Sequence, residues 1–304
     1  MRKFVVCTRG CTASKWLARS LEQLSGFECS HGSGSLTHYD KAYQHGELIE
    51  TIHREWFERQ ATPVEEYIDG QIRDRSKQFT GNVHRYQLAR HDALFRAAPN
   101  VRVANVIRHP VTWQDSRTAL FMDLMQFVPH IGQQLHYTVV TNFDFLWPFV
   151  QRHGLALVDP EFMCFVGNLV ALPELAKDAH IADFPSFRME DIVRKPEMFS
   201  ELVDHISAGE YALGDGDVEA IFGAQQIHQH RSGSGQNAEA TFENWPTWKK
   251  ELFVPMFFGS GLYDSYARFD YDARFLENAE AYRCLPQSLK PNEPGGPFWI
   301  NTNE

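Results

Sequence analysis

The chain has 304 residues, 43% of them hydrophobic and 13% aromatic, with a formal net charge of −10. That length buries a sizeable core and that composition is globular, which excludes a disordered chain. The negative balance is opposite in sign to what a nucleic-acid binder carries, and it repels polyanionic acceptors, so a neutral or cationic small molecule is the better-matched partner.

In chain order, Lys3 to Thr8 reads as a buried strand feeding a helix from Ser14 to about Ser25. Phe27 to Ser30 reads as a second strand, ending in the turn-rich loop His31-Gly32-Ser33-Gly34-Ser35. Residues 38–77 are charged and helical in pattern, and Phe79 to Tyr86 reads as a third strand. Val101 to Ile107 is the clearest strand, a Val/Ile/Ala run bounded by Pro99-Asn100 and Pro110. Residues 111–180 read as helices with aromatic faces, and Phe184 to Met189 as a fifth strand. From Pro286 to Glu304 proline and glycine thicken into an irregular tail. Strands alternating with helices predict an α/β fold, a parallel β-sheet flanked by helices, in one domain over residues 1–285.

The five cysteines include no CxxC pair, which fits a reduced compartment. The start lacks the apolar core of a secretory signal. The longest apolar stretch, Phe162 to Leu175, is broken by Gly167, Asn168 and Pro173 and falls below the roughly 20 residues of a membrane span. The expectation is a cytoplasmic protein with no membrane partner.

Two stretches carry chemistry. After the first strand comes Arg9-Gly10-Cys11-Thr12-Ala13-Ser14-Lys15. A strand-to-helix loop gathers unpaired backbone N–H groups and the positive helix end at one point, which suits a phosphate. Gly10 permits close backbone approach, Thr12 and Ser14 offer hydroxyls, and Arg9 and Lys15 are cations. The G-x-x-x-x-G-K-[ST] loop of nucleotide triphosphatases is absent. An ordinary turn capped by Thr12 or Ser14 is the simpler account of this stretch alone. The second stretch is Arg108-His109-Pro110 at the end of the fourth strand, with Ser116 eight residues after the arginine. Arg108 then stands at the carboxyl end of a strand, where open α/β sheets bind ligands.

Together these stretches resemble the two cofactor signatures of sulfotransferases that use 3′-phosphoadenosine-5′-phosphosulfate (PAPS). Arg9-Gly10-Cys11-Thr12 looks like the family's 5′-phosphosulfate loop, and Arg108 and Ser116 match its 3′-phosphate site. Arg188-Met189-Glu190-Asp191-Ile192-Val193-Arg194-Lys195-Pro196 is similar to the family's R-x-E-D-L-x-x-x-P segment. Arg231-Ser232-Gly233 looks like the late basic loop over the nucleotide, and Trp245 to Lys249 like the helix start after it. Two departures stand out: Arg9 occupies the place of the cytosolic branch's lysine, and Cys11 that of a loop glycine. Arginine does not give up its proton, so Arg9 acts there only as a charge and hydrogen-bond clamp.

The resemblance implies a P-loop-like three-layer architecture and a sulfotransferase that moves a sulfuryl group from PAPS to a hydroxyl or amine of a small molecule. The product is 3′-phosphoadenosine-5′-phosphate (PAP), and no metal is expected. The acceptor needs a base, and histidine suits neutral pH. His84, near the end of the third strand, is the first candidate; His31, after the second, is the other. His228 and His230 lack a third metal ligand. His38, His45 and His53 read as a solvated face, and Ser33 and Ser35 form no G-x-S-x-G elbow. The Phe/Trp run from Phe121 to Phe149 reads as core, some of it available to line an acceptor pocket. The competing readings are a nucleotide-dependent phosphotransferase and a catalytically silent PAP-binding protein.

Overall fold

The computed structural model describes residues 1–31, 64–69, 73–74, 76–84, 88, 92, 95–127, 129–181, 183–223, 237–278 and 289. The chain divides into two compact units, one built from Met1–Arg108 and Ile181–His228, the other from His109–His180 and Gln229–Asn301.

The first unit holds five strands: β1 (Arg2–Thr8), β2 (Phe27–His31), β3 (Phe79–His84), β4 (Val101–Ile107) and β5 (Ser186–Arg188). All pairings are parallel, in the order β2-β3-β1-β4-β5. β1 is central because Phe4, Val5, Val6 and Cys7 are all fully buried, as expected of a strand covered on both faces. Phe4 and Val6 join Leu17 and Leu21 of helix α1 (Ser14–Gln23) and Phe199, Leu202, Val203 and Ile206 of the helix Pro196–Ser207. Val5 and Cys7 point to the opposite face, where Val64, Ile68, Leu88, Phe95 and Val103 gather. The sheet is therefore the middle of an α/β sandwich, as the alternation of strands and helices predicts.

Local sequence explains the joints. α1 stops two residues before the expected Ser25 because Leu24 turns extended and Gly26 takes a φ of 81°, open to glycine without penalty. β3 passes so close to β1 that a Cβ on Gly81 would meet the Phe4 carbonyl and lie 2.7 Å from its ring. Buried Glu28 of β2 accepts from the backbone N–H of Arg73 (2.7 Å) and Asp74 (3.0 Å) and from the Arg73 guanidinium (3.2 Å). Burial pushes its carboxyl up, but these donors together hold it below the usual glutamate range.

The boundaries differ from expectation in three further places. The helical reading to residue 77 fails at its end: Asp74 Oδ1 accepts from the Ser76 N–H (2.9 Å) and hydroxyl (2.6 Å), a side-chain turn that replaces helix. Residues 38–63, like 85–86 at the end of the expected third strand, lie outside the described residues, as does the tail apart from Leu289. β2 runs one residue further, to His31. β5 is only three residues long, since Met189 already starts the short helix Met189–Ile192.

The second unit is helical: Pro110–Met125, Pro129–Thr141, Phe143–His153, Pro160–Leu169, Leu172–His180, Ala238–Glu243, Thr247–Gly259, Leu262–Ala267 and Arg274–Glu277. Three of these helices start on a side-chain cap. Asp159 caps the Phe162 N–H (2.9 Å) ahead of Pro160, His109 Nδ1 accepts from Val111 (3.2 Å) ahead of Pro110, and Asn237 caps Ala240 (2.8 Å). Phe162, Phe165, Trp245, Trp248 and Phe253 form its aromatic centre, with Phe165 centroids 5.4 and 5.3 Å from the two tryptophans. The expected core run is only partly core: Phe149 is buried, but Phe143 and Trp147 stack on each other 5.6 Å apart while over two-fifths exposed. Their four-residue spacing puts both on the outer face of one helix.

Candidate functional site

Parallel pairing brings all five strand ends to one edge of the sheet. Register places Cys7 beside His84, Thr8 beside Val106, His31 beside Val83 and Ile107 beside Arg188. β1 and β4 are neighbours, yet the chain leaves β1 toward β2 on one side and leaves β4 toward β5 on the other. The carboxyl ends of β1 and β4 thus flank the point where strand order reverses, the usual place for a ligand crevice in an open α/β sheet.

The loop between β1 and α1 has an unusual backbone. Gly10 (φ 75°), Cys11 (φ 54°) and Ala13 (φ 53°) are all left-handed. Two of the three are not glycine, and a left-handed non-glycine costs roughly 1–2 kcal/mol. Strain of this kind persists where the surroundings over-determine it, and it gathers at ligand clamps. Here the surroundings are visible: Arg108 Nη1 donates to the Cys11 carbonyl at 2.6 Å.

The same loop carries two hydroxyls. Thr12 is fully buried, and its Oγ1 has no hydrogen-bond partner among the described residues. Ser14, the first residue of α1, has its Oγ 3.0 Å from His31 Nε2. Ala13 caps α1 without a side-chain hydrogen bond, and the first turn holds no acidic residue. The positive end of the helix therefore meets Arg9, Lys15 and Arg108 with no carboxylate of its own.

The structure thus brings Arg9, Gly10, Cys11, Thr12, Ala13, Ser14, Lys15, His31 and Arg108 to one corner of the first unit. His84 ends β3 at the same edge, but its side chain is outside the described residues. Ser116 is buried in the helix Pro110–Met125 of the second unit. Arg231, Ser232 and Gly233 lie outside the described residues, as do His228, His230, His38, His45 and His53.

Two relations had no sequence signal. Arg108 and Cys11 are 97 residues apart, and only adjacency of β1 and β4 joins them. The Ser14–His31 contact depends on β2 ending one residue later than its hydrophobicity suggests. Arg188 adds a third arginine at the edge, paired with Asp191 (3.3 Å), which also binds Lys195 (2.8 Å). That pairing gives the Arg188–Pro196 segment a structural part in the start of its helix.

None of the four described cysteines forms a disulfide. Burial pushes the Cys29 thiol far up and the Cys164 thiol up to about 12, so neither serves as a nucleophile. Among the described residues no three His, Cys, Asp or Glu side chains converge as a metal site, and no helix is long and apolar enough to cross a membrane. No family model matches the chain, and neither a curated protein nor a solved structure matches it.

Proposed function

We propose that this chain is a sulfotransferase that uses PAPS to sulfate a hydroxyl or amine of a neutral or cationic small molecule, with the loop Arg9–Lys15 as the cradle for the nucleotide's 5′ end. One observation carries the reading: a left-handed loop at the end of the central strand, held by Arg108, that buries the Thr12 hydroxyl without a partner among the described residues. A buried hydroxyl without a partner costs about 1–3 kcal/mol. An anionic oxygen in the loop is the acceptor that it lacks, so the residues present fit a phosphate or sulfonate group.

PAPS, when bound, supplies an activated sulfuryl group and leaves as PAP. The chain's own residues then have separable tasks. The loop N–H groups, Thr12 and Ser14 hold anionic oxygens. Arg9 and Lys15 add fixed positive charge where negative charge grows on the leaving oxygen, the kind of preorganised stabilisation that dominates many barriers. Arg108 anchors the loop through Cys11, and a guanidinium has five N–H donors, so that anchor is compatible with a 3′-phosphate contact. His84 at the end of β3 takes the acceptor's proton in this reading, as a strand-end base beside β1; that task is worth roughly 10²- to 10⁴-fold in rate.

The test is a thermal-shift titration with PAP and, in parallel, ATP. A nucleotide that binds the folded state raises its stability by RT ln(1 + [L]/Kd). A shift with PAP and PAPS consumption with an added acceptor support the reading. A shift with ATP alone overturns it in favour of a phosphotransferase, and a PAP shift without turnover on any acceptor leaves a binding protein. His84→Ala should lower turnover while sparing PAP affinity.

A further inference from the structure

The contact between Ser14 Oγ and His31 Nε2, at 3.0 Å, joins the first residue of α1 to the last residue of β2. A serine hydroxyl has one proton and two lone pairs. If that proton goes to His31, lone pairs are left facing the loop, and an anion there is repelled. If Nε2–H of His31 donates to Ser14, the hydroxyl proton is released toward the loop. Only the second arrangement agrees with the surroundings. The first turn of α1 has no side-chain cap and no carboxylate, the adjacent Thr12 hydroxyl is buried with no partner among the described residues, and Arg9 and Lys15 lie within five residues of Ser14 in the chain.

We propose that His31 is a positioning residue: by donating from Nε2 to Ser14 Oγ it turns the Ser14 hydroxyl proton toward the anion held by the loop. The inference rests on the anion-cradle reading of that loop. It also separates the two histidines. A ring nitrogen that gives its hydrogen to Ser14 cannot accept the acceptor's proton at the same atom, so Nε2 of His31 orders the cradle and is not the base.

The test measures PAP binding by calorimetry, at one pH and one salt concentration, in the full chain. Ser14→Ala and His31→Ala should each weaken PAP about tenfold, the worth of one hydrogen bond to a charged group. The double variant should be no worse than either single one, because both remove the same oriented proton. His31→Gln presents an amide N–H near the place of Nε2 and should stay within about threefold of the parent, the residue of a hydrogen bond largely restored. A role confined to packing does not predict rescue by glutamine.

Additive losses in the double variant, or a glutamine variant as weak as the alanine one, overturn the positioning role and leave the cradle standing. Unchanged affinity in His31→Ala does the same. If the parent chain binds neither PAP nor inorganic pyrophosphate, the cradle itself falls, and the inference with it.

Discussion

Removing the Arg108 side chain should both soften the first unit and weaken its anion site. The Nη1 contact to the Cys11 carbonyl is short, 2.6 Å, partly buried and charge-assisted. Hydrogen bonds to charged groups contribute about 1.5–3 kcal/mol, and truncation leaves the Cys11 carbonyl to find another donor. Arg108→Ala should therefore keep the fold but lower its stability by about 1.5–3 kcal/mol, a loss of roughly 0.75–1.5 M in urea midpoint for a slope near 2 kcal/mol/M. The loop's left-handed residues lose their restraint at the same time, so PAP affinity should drop at least tenfold, or about 1.4 kcal/mol. Arg108→Lys keeps a charge but not the planar fork, and should recover part of the stability and less of the affinity. Urea unfolding followed by circular dichroism reads the first effect and calorimetry the second. An unchanged midpoint in the alanine variant refutes the Cys11 anchor; unchanged PAP affinity removes Arg108 from the anion site.

Three further outcomes follow from other residues. Cys11→Gly relieves a φ of 54° and should stabilise the fold by about 0.5–1 kcal/mol after the unfolded-state entropy of glycine is subtracted; destabilisation on thermal melting would show that the thiol contributes packing that outweighs the strain. Gly81→Ala drives a methyl into the Phe4 carbonyl and ring and should cost about 3 kcal/mol or more, read as a large fall in denaturation midpoint. A neutral effect there means that β1 and β3 are not in the Phe4–Gly81 register. Burial holds the His205 imidazole below its ordinary value, and Arg102 pushes the same way, against its hydrogen bond to the Val103 carbonyl (3.0 Å). The unfolded chain then binds more protons between that depressed value and about 6.5, so stability present above about pH 6.5 is lost as pH falls below it. His205→Gln should flatten this limb in urea midpoints measured from pH 7.5 to 5, and an unaltered limb assigns it to another group.

The strands were legible because burial on both faces leaves continuous apolar runs; β4 lies at Val101–Ile107, where its Val/Ile/Ala content and flanking prolines put it. The helix that starts at Pro110 was legible for an equally local reason, the proline that ends β4. The strand-to-helix loop was legible as a place, from Gly10 and the hydroxyls after it. Its conformation was not: cysteine and alanine carry no signal for a left-handed backbone, and the pull from Arg108 that sustains it comes from another strand. The same limit applies to His31. Its partner Ser14 is 17 residues away in sequence, and the pairing exists only because β2, β3 and β1 run in one direction and end at one edge. The exposed pair Phe143 and Trp147 escaped notice because an aromatic run reads as core until helix rotation decides which members turn outward.

The pairing pattern of β1 also has a consequence for how the chain is made. Phe4 and Val6 are covered by Phe199, Leu202 and Ile206, and β1 finds its hydrogen-bonding neighbours only at β3 and β4. At roughly 5–20 residues per second, a ribosome needs roughly 10–40 s to carry synthesis from the first of these residues to the last. β1 waits unpaired for about the first half of that interval, until β3 and β4 are made, and its apolar cover is completed by a helix that follows the intervening helices of residues 110–180. Synthesis of this chain therefore includes a period in which the apolar faces of β1 are exposed, and such surface makes a nascent chain prone to aggregate.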